Sequence, residues 1–450
     1  MKRDIMEKLA HWKDAPGRKP LLLTGVRQCG KTYILKDFGK EYFEDVAYFN
    51  FDKSPSLGQI FEYDLDVQRI VEELTIARRG KPIILGATLV ILDEIQVCPK
   101  AISSLKYFCE DLRELHVVAA GSLLGVALRN ENISYPVGKV DKLSMYPMTF
   151  REFVMANGDE ALLTAMDRMD ISRELPDMIA IPMKKYLKWY FVVGGMPEAV
   201  EKWIETENLD AVEEVQQSIL KDYPNDFGKH IPQGTDRNRM IMTLNQIWDS
   251  IPVQIAKENN KFIFSHVKKG ARAKDLEDAL EWLVKSGLVY QLHLCETPEI
   301  PLSGMADETY FKVFMADIGL LRVKAGLPVD TVLNEGGDYI RYKGAMAEQF
   351  VMTELTTMGI PAFFWRSKSD AEVDFLTDYY SRITPIEVKS AENTKAKSLH
   401  TFCNRYHPAQ AIKLSTKNVG DNEDGTTHVW SVPLYAISRV KEYLRSDGRG

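Results

Sequence analysis

The sequence predicts an α/β fold with a parallel sheet in its N-terminal part, and three observations lead to this prediction. A continuous apolar run at residues 21–24 passes directly into a glycine-rich turn. Three further apolar runs, at residues 46–51, 88–92 and 116–120, are separated by stretches of helical character. Such runs are typical of buried parallel strands, and strands that alternate with helices build a parallel sheet.

Length and composition indicate several folded domains. The chain has 450 residues, more than one hydrophobic core normally organises. Hydrophobic residues make up 45% and charged residues 27%, which is close to the average for globular proteins and far from a disordered composition. We therefore expect each domain to bury a core of its own.

The charge, the cysteines and the hydropathy narrow the class of protein. A net charge of −7 neither supports nor excludes DNA binding, because a local basic face can lie within an acidic chain. The five cysteines include no C-x-x-C pair, so neither a zinc site nor a disulfide framework is indicated. No signal peptide or membrane-spanning run is evident. We expect a cytoplasmic protein without membrane association.

The middle of the chain predicts a helical segment followed by a helix and a hairpin. Residues 150–229 have a mostly helical pattern, which the sequence Gly194-Gly195-Met196-Pro197 interrupts. Apolar residues between 276 and 284 then follow helical spacing, and alternating strands at 288–294 and 310–315 come next. We interpret the first segment as a helical lid and the second as a winged helix.

The C-terminal part predicts a second α/β unit. A helix at residues 343–358 is followed by strands at 372–376 and 385–389.

The glycine-rich turn matches the phosphate-binding pattern G-x-x-x-x-G-K-[ST] at every fixed position. In this pattern the glycines let main-chain N–H groups approach phosphate, Lys31 bridges the β and γ oxygens, and Thr32 ligates magnesium. The preceding apolar strand and the following helix are the context that the motif requires. We predict an ATP and Mg²⁺ site formed by Gly25, Val26, Arg27, Gln28, Cys29, Gly30, Lys31 and Thr32.

Two carboxylates follow the apolar run at residues 89–92. We expect Asp93 to hold the magnesium shell together with Thr32, and Glu94 to polarise the attacking water as general base. Acidic residues are common at strand ends, but the complete phosphate-binding loop favours the catalytic interpretation.

Ser122 follows the apolar run at 116–120 and is the candidate sensor of the γ-phosphate. The alternative is that Gly121 and Ser122 only start a helix, with Ser122 as its N-cap. Arg27, Arg129 and Arg151 are candidates for stabilising developing charge, although any one of them is more typical of a solvated surface arginine.

A second group of charged residues lies in the C-terminal unit. Strand geometry puts Glu387 and Lys389 on one face, and it does the same for Glu372 and Asp374. If the two strands pair as a hairpin, Asp374 and Glu387 can share a magnesium ion and Lys389 can orient a water for attack on a phosphodiester. Glu348 on the preceding helix would complete the acidic cluster.

The alternative for this group is an ordinary solvated strand face, where charges at i and i+2 have no catalytic role. Two features favour a site. Both strands place apolar residues on one face and acidic residues on the other, and Arg366 and Lys368 just upstream offer cations for phosphate.

Motifs spread over nearly the full length resemble those of a prokaryotic family of AAA-type ATPases. Members of that family, which is related to the STAND class, carry a winged helix and a C-terminal nuclease-like domain of unassigned function. The resemblance rests on the phosphate-binding loop and on residues 92–96, 120–124, 146–153, 194–198, 310–314, 317–321, 371–375 and 386–389.

The resemblance implies the ATPase roles given above for Lys31, Thr32, Asp93 and Glu94, and a restriction-endonuclease-like C-terminal fold whose catalytic acids and lysine map onto Asp374, Glu387 and Lys389. One departure is Val373, which stands where such nucleases often have a proline. We predict a P-loop ATPase domain at residues 1–155, the helical lid at 156–235, the winged helix at 236–330 and the nuclease-like domain at 340–450.

Two functions remain open at this point. In the first, ATP binding and hydrolysis govern a nuclease that acts on DNA. In the second, the ATP state governs docking to protein partners and the nuclease-like domain is inactive. An arginine from a neighbouring copy in a homo-oligomer would be a further requirement of hydrolysis, and the sequence does not assign it.

Overall fold

The protein is described here by a computed structural model that covers residues 1–122, 135–228, 231, 235–256, 261–334, 340–368, 371–390 and 397–446. The chain divides into two compact units, each containing one sheet. The smaller unit comprises Met1–Pro147, Tyr223–Leu244 and Asp278–Leu288. The larger unit comprises Met148–Asp222, Asn245–Glu277 and Val289–Gly450.

The smaller unit contains a parallel five-stranded sheet, which confirms the predicted α/β architecture. Its strands lie in the order β2-β3-β4-β1-β5, and every pairing is parallel. They are β1 Leu21–Gly25, β2 Asp45–Asn50, β3 Thr88–Asp93, β4 His116–Ala120 and β5 Asp141–Met145. The first four coincide with the four predicted apolar runs. Strands β1, β3 and β4 are central, and central parallel strands are buried on both faces and carry little but apolar residues. Strand β2 lies at the edge of the sheet and is only partly buried.

Among the described residues before Pro147, the helices that accompany this sheet are α1 Ile5–Asp14, α2 Lys31–Tyr42, α3 Val67–Ala77 and α4 Pro99–Asp111. Short 3₁₀ segments lie at Pro55–Phe61 and Ile95–Val97. Ile70 and Leu74 of α3 join Ile102 and Leu105 of α4 in one core cluster with the apolar side chains of the central strands. This core holds the carboxyl ends of β1 and β3 in fixed positions.

Strand β5 was not predicted. It is an edge strand whose side chains are alternately half-buried and exposed until Met145, so its sequence Asp-Lys-Leu-Ser-Met lacks the continuous apolar run of the central strands. Its pairing with β1 brings Met145 opposite Gly25.

The predicted lid segment is helical, as expected. Its helices are α5 Phe150–Ala156, α6 Glu160–Asp167, α7 Asp177–Val193, α8 Pro197–Thr206 and α9 Leu209–Asp226. Helix α5 begins with a capping box between Thr149 and Glu152. The predicted interruption lies between α7 and α8, where Gly194 has φ of +72°.

The predicted helix and hairpin follow in the expected order. The elements are α10 Arg237–Ile255, α11 Phe264–Val267, α12 Ala273–Lys285, β6 Val289–Cys295 and β7 Ala306–Met315, with a 3₁₀ segment at Leu302–Met305. Strands β6 and β7 pair with each other, and β6 also pairs in parallel with β8 at Phe363–Arg366 of the C-terminal segment. The hairpin is therefore part of a larger sheet, and strands of one sheet lie on both sides of the boundary predicted at residues 330–340.

The larger unit contains this mixed eight-stranded sheet, with the strand order β12-β13-β11-β10-β9-β8-β6-β7. Its remaining elements are α13 Ile318–Lys324, α14 Val329–Leu333, α15 Ile340–Thr357, β9 Glu372–Thr377, β10 Thr384–Val388, α16 Lys397–Tyr406, β11 Gln410–Ser415, β12 Gly420–Asp424, β13 Thr427–Pro433 and α17 Val440–Arg445. Short 3₁₀ segments lie at Tyr379–Ser381 and Leu434–Arg439. The helix and two strands predicted for this part are confirmed to within a few residues.

None of the helices in the described ranges is both long enough and apolar enough to cross a membrane.

Candidate functional site

The glycine-rich turn joins the end of β1 to the start of α2, and its backbone requires glycine at two places. Gly25 has φ of +150°, and a Cβ atom there would lie 2.1 Å from the Met145 carbonyl oxygen. Gly30, the N-cap of α2, has φ of +94°. Gln28 between them also has a positive φ of +64°. The loop thus curves tightly and delivers its main chain to the positive end of the α2 dipole.

Lys31 lies within the curve of this loop. Its Nζ atom donates to the carbonyl oxygens of Gly25 at 2.8 Å and Val26 at 2.9 Å, and the side chain is buried. The ammonium group is therefore held next to the main chain that would surround a phosphate.

Asp93 lies at the carboxyl end of β3 and accepts hydrogen bonds from several hydroxyl and amide groups. Its Oδ2 atom accepts from Thr32 Oγ1 at 2.9 Å, from Tyr48 Oη at 2.6 Å and from Asn50 Nδ2 at 3.4 Å. Burial and the bond to Asp93 raise the pKa of the Tyr48 phenol, so Tyr48 acts as a neutral donor. The structure brings together the predicted pair of Thr32 and Asp93.

Tyr48 and Asn50 were not predicted as part of this site. Both lie on β2, which pairs with β3 so that Asn50 is opposite Asp93. Only the strand order places β2 beside β3, and the sequence offers no signal for that order.

Thr32 and Asp93 suit a hard cation such as magnesium. Their oxygens are adjacent, and Mg²⁺ in phosphate-transfer sites takes few protein ligands and completes its shell with phosphate oxygens and water. The donor set of hydroxyl and carboxylate therefore fits the predicted metal.

Glu94 directly follows β3 in a left-handed conformation, with φ of +52°. A left-handed conformation at a residue other than glycine costs about 1 kcal/mol or more and is often found at active sites. Gln96 donates from Nε2 to the Glu94 carboxylate, and the Glu94 main-chain N–H donates to Asp93 Oδ1 at 3.1 Å. The turn thus fixes Glu94 beside the predicted metal ligand. Gln96 is a third residue of this site, after Tyr48 and Asn50, to which the sequence had assigned no role.

Ser122 is buried just past the end of β4, beside β1 in the sheet. The residues that follow it, 123–134, lie outside the described part of the chain, so its role as sensor or helix N-cap stays a prediction. The candidate Arg129 falls in the same undescribed range.

The two other candidate arginines have carboxylate partners. Arg27 pairs with Asp226 near the end of α9, within the smaller unit, and the Tyr223 hydroxyl donates to the Arg27 carbonyl at 3.3 Å. Arg151 pairs with Asp167 in the larger unit at 2.5 Å. Both pairs are structural contacts that a role in stabilising phosphate charge would have to break.

The predicted hairpin in the C-terminal segment is present. Strands β9 and β10 pair antiparallel, with Ile386 opposite Phe375, and Asp374 Oδ2 accepts a hydrogen bond from the Val388 main-chain N–H at 2.7 Å. Glu387 and Lys389 form an ion pair at 2.5 Å. Asp374, Glu387 and Lys389 therefore lie side by side, as predicted.

Lys312 on β7 is a further member of this group, and the sequence analysis did not identify it. Its side chain is 1% exposed, and its Nζ atom lies 2.7 Å from Glu372 and 3.2 Å from Glu348. Burial alone lowers the pKa of a lysine, but the carboxylates of Glu348 and Glu372 outweigh it and raise the pKa of Lys312. Lys312 therefore carries a fixed positive charge inside the cluster.

The pKa values of Asp374 and Glu387, the two carboxylates next to Lys389, are both raised. Burial, followed by the neighbouring carboxylates of Glu387 and Glu348, raises the pKa of Asp374. Burial also raises the pKa of Glu387, although Lys389 opposes it. Glu387 is buried, and its Oε2 atom has no hydrogen-bond partner among the described groups. An unpaired buried carboxylate oxygen is unfavourable unless a cation or donor binds to it.

The cluster offers only a few side-chain ligands for a metal ion. Within the described residues, no three or more His, Cys, Asp or Glu side chains are grouped so that they could hold a metal ion. Glu348, predicted as the third acidic ligand, pairs with Lys312. Asp374 and Glu387 remain, and two carboxylates suffice for Mg²⁺ when a substrate phosphate and water supply the other ligands.

Comparison with known proteins identifies the N-terminal part. Residues 17–154 match the family model of an AAA domain. Residues 184–331 and 343–435 match two domains of unknown function, DUF8612 and DUF4143. No curated protein matched the sequence. The AAA-domain match confirms the predicted AAA-type domain and supports ATP binding by it, whereas the winged-helix and nuclease-like assignments stay predictions.

Solved structures resemble the chain at low identity. A Walker-type ATPase of Pyrococcus abyssi, PABY2304, is 14% identical and covers 72% of this chain and 95% of its own, with a TM-score of 0.44. The Aeropyrum pernix ORC1 protein in complex with DNA is 15% identical, with coverages of 75% and 92% and a TM-score of 0.29. A variant of Thermotoga maritima RuvB is 15% identical, with coverages of 66% and 90% and a TM-score of 0.27.

Proposed function

We propose that this chain, which carries an AAA domain at residues 17–154, hydrolyses ATP with Mg²⁺ and couples its nucleotide state to a nuclease-like C-terminal segment that acts on DNA. The observation that carries the ATPase proposal is the 2.9 Å contact between Thr32 Oγ1 and Asp93 Oδ2. The contact supports a shared metal site, because Thr32 and Asp93 come from different elements and their oxygens are adjacent, with Lys31 at the start of the same helix as Thr32.

Each residue of the nucleotide site has a distinct task in this proposal. The main-chain N–H groups of the loop, from Gly25 to Thr32, bind the phosphates, and Lys31 exchanges its carbonyl partners for the β and γ oxygens. Thr32 and Asp93 would hold magnesium, and the charge of the bound ion would offset the charge that develops on the phosphates. Glu94, kept in place by Gln96, takes a proton from the attacking water. Ser122 senses the γ-phosphate from the end of β4.

The C-terminal cluster supports a phosphodiesterase site of limited metal affinity. Asp374 and Glu387 would hold magnesium with the help of a substrate phosphate, and the unpartnered Glu387 Oε2 atom supports this role. Lys389, 2.5 Å from Glu387, would orient the water that attacks the phosphodiester. Binding of metal is then coupled to binding of nucleic acid.

A second candidate function is an ATP-dependent switch that binds protein partners and does not cut nucleic acid. The observation that favours it is Lys312, whose ammonium group pairs with Glu348 and Glu372. An internal cation reduces the need of the cluster for a metal, as a buried group of carboxylates can be neutralised by a lysine instead.

One experiment decides between the two functions. ATP hydrolysis and DNA and RNA cleavage are measured with Mg²⁺ for the wild type, Lys31→Ala and Asp374→Ala, with Asp421→Ala as a control that removes an exposed carboxylate from β12 of the same sheet. We expect Asp374→Ala to abolish cleavage and to keep ATP hydrolysis, and Lys31→Ala to lose hydrolysis. ATP hydrolysis by the wild type without cleavage of any DNA or RNA form would reject the nuclease and favour the switch.

A further inference from the structure

Lys413 on strand β11 lies beside the carboxylate–lysine cluster around Glu387 and has no role in the proposed function. Strands β10 and β11 pair in parallel, with Lys413 directly opposite Glu387. Side chains at opposite positions of neighbouring strands point to the same face of a sheet. Because such strands are about 4.8 Å apart, the Lys413 side chain starts about 5 Å from that of Glu387.

The Lys413 ammonium group has no carboxylate partner, unlike the other lysines of the cluster. Lys389 pairs with Glu387, and Lys312 pairs with two carboxylates. For Lys413, neither an ion pair nor a hydrogen bond forms with any group in the described ranges. Its side chain is half-buried, and its Nζ atom is not enclosed by the protein. A ligand can therefore reach this charge, which the described part of the chain does not neutralise.

The charged groups that act on Lys413 include two further lysines. Burial lowers the pKa of Lys413, the ammonium group of Lys417 lowers it further, Glu387 raises it, and Lys389 again lowers it. Lys417 follows β11, is exposed and likewise has no ion-pair partner in the described ranges. Like charges near one another at a partly buried position repel, and an anion bound between them would offset this repulsion.

The position of Lys413 in the sheet indicates which anion would bind. Asp374, Glu387 and Lys413 lie on the successive strands β9, β10 and β11. A phosphodiester is an anion that the carboxylates of Asp374 and Glu387 repel, so cations beside them are needed to hold it. A nucleic-acid strand carries a phosphate on every nucleotide, and a strand with one phosphate at the two carboxylates brings another towards Lys413.

We propose that Lys413 and Lys417 bind a backbone phosphate of a nucleic-acid strand, next to the phosphodiester that Asp374 and Glu387 would hold with a metal ion. Both are positioning residues, because they hold the strand and take no part in breaking a bond. The purpose of this binding rests on the proposed nuclease function. The binding itself requires neither cleavage nor ATP hydrolysis.

The test is equilibrium binding of a fluorescent oligothymidylate of about twelve nucleotides to the full chain, at a series of salt concentrations. EDTA is present, so that metal-dependent cleavage does not take place. The variants are Lys413→Ala with Lys417→Ala, the same pair changed to arginine, and Lys417→Ala alone. The matched control, Lys8→Ala with Lys40→Ala, removes two exposed lysines from the smaller unit.

Each phosphate contact to a single strand contributes about 0.7 to the slope of log affinity against log salt, which is about fivefold in affinity at about 0.1 M salt. We expect Lys417→Ala to bind about fivefold more weakly, and the double alanine variant about 25-fold more weakly with a slope lower by about 1.4. The double arginine variant should bind like the wild type, because arginine keeps the charge. The control should also bind like the wild type.

The change in slope and the rescue by arginine separate phosphate binding from a loss of structure. Lys417→Ala provides a further safeguard, because Lys417 is exposed and its replacement does not disturb the core. Circular dichroism of the double alanine variant should match that of the wild type.

Four results would overturn the proposal. They are absence of binding by the wild type, wild-type affinity and slope in the double alanine variant, an equal loss of affinity in the control, and competition by polyglutamate as strong as that by unlabelled oligonucleotide. The last result would indicate an acidic protein partner.

Failure of this proposal and failure of the proposed nuclease give different results. A wild type that binds the oligonucleotide through these lysines but cleaves no nucleic acid with Mg²⁺ rejects the nuclease and keeps the phosphate site. A wild type that cleaves, with unchanged binding and an unchanged KM in the double alanine variant, rejects the phosphate site and keeps the nuclease.

Discussion

Lys312 shows most clearly how one residue changes the chemistry of the C-terminal cluster. Its ammonium group is buried and in contact with two carboxylates, from helix α15 and strand β9. Removing one member of a buried charge group leaves the others without compensation, which is far more costly than removing an exposed pair. Lys312 is therefore expected to contribute strongly to the stability of the larger unit.

We predict that Lys312→Met lowers the free energy of unfolding by about 3–5 kcal/mol, because the half-buried carboxylates of Glu348 and Glu372 lose the buried ammonium group that they contact. The measurement is urea denaturation followed by circular dichroism. Lys417→Met makes the same chemical change at an exposed position and should shift the free energy by less than about 0.5 kcal/mol. Equal effects of the two substitutions would show that Lys312 does not hold the cluster together.

The sequence identified those site residues whose chemistry lies within one contiguous motif. Lys31 and Thr32 are fixed by the loop pattern, and Asp93 and Glu94 by their place after an apolar strand. Tyr48, Asn50 and Lys312 could not be found in this way, because each lies in a different element from the carboxylate that it contacts. Lys312 is a charged residue within strand β7. Its partners, Glu348 and Glu372, are 36 and 60 residues away along the chain, so no local pattern reveals them.

At the scale of secondary-structure elements, the bend between α7 and α8 is fixed by Asp317, the N-cap of α13. The Asp317 carboxylate accepts hydrogen bonds from the main-chain N–H groups of Gly195 at 2.6 Å and Leu320 at 2.8 Å. A Cβ atom at Gly195 would lie 2.0 Å from the Met148 carbonyl oxygen. The paired glycines predicted as a break in the helical segment therefore allow the chain to pass close to both Asp317 and Met148.

The environment of Asp317 predicts a dependence of stability on pH. Burial outweighs the main-chain donors and raises the pKa of Asp317 to about 6, against about 3.9 in an unfolded chain. Between these values the folded protein binds a proton that the unfolded chain releases. The stabilisation from protonated Asp317 is present below about pH 4 and is lost as pH rises through about 6, which amounts to about 3 kcal/mol.

We predict that the free energy of unfolding of the wild type, relative to Asp317→Asn, falls by about this amount from pH 3 to pH 7, because the variant cannot ionise. Urea denaturation at a series of pH values measures it. Asp421→Asn makes the same change on the exposed strand β12 and is the matched control. Parallel profiles of wild type and Asp317→Asn would contradict the raised pKa.

At this scale the sequence predicted elements better than their pairing. The hairpin of β9 and β10 followed from two matching strand patterns, and four strands of the parallel sheet followed from their apolar runs. The edge strand β5 escaped prediction because two of its five side chains are exposed and two more are only half-buried. The parallel pairing of β6 with β8 joins segments about 70 residues apart, and no local pattern encodes it.

At the scale of the whole molecule, each sheet carries one group of candidate site residues. The parallel sheet of the smaller unit carries the proposed nucleotide site at the carboxyl ends of β1 and β3, which is where α/β sheets generally bind ligands. The mixed sheet of the larger unit carries the carboxylate–lysine cluster. Both units thus carry groups suited to phosphate.

We propose that the smaller unit hydrolyses ATP with Glu94 as the general base, and the most direct test is to measure binding and turnover of ATP separately for Glu94→Gln. We predict wild-type affinity for ATP and turnover reduced about 10²–10⁴-fold, because the loop and the Thr32–Asp93 pair remain intact while the proton acceptor is lost. Lys31→Ala, in contrast, should lose ATP binding. Wild-type turnover by Glu94→Gln would show that Glu94 is not the general base.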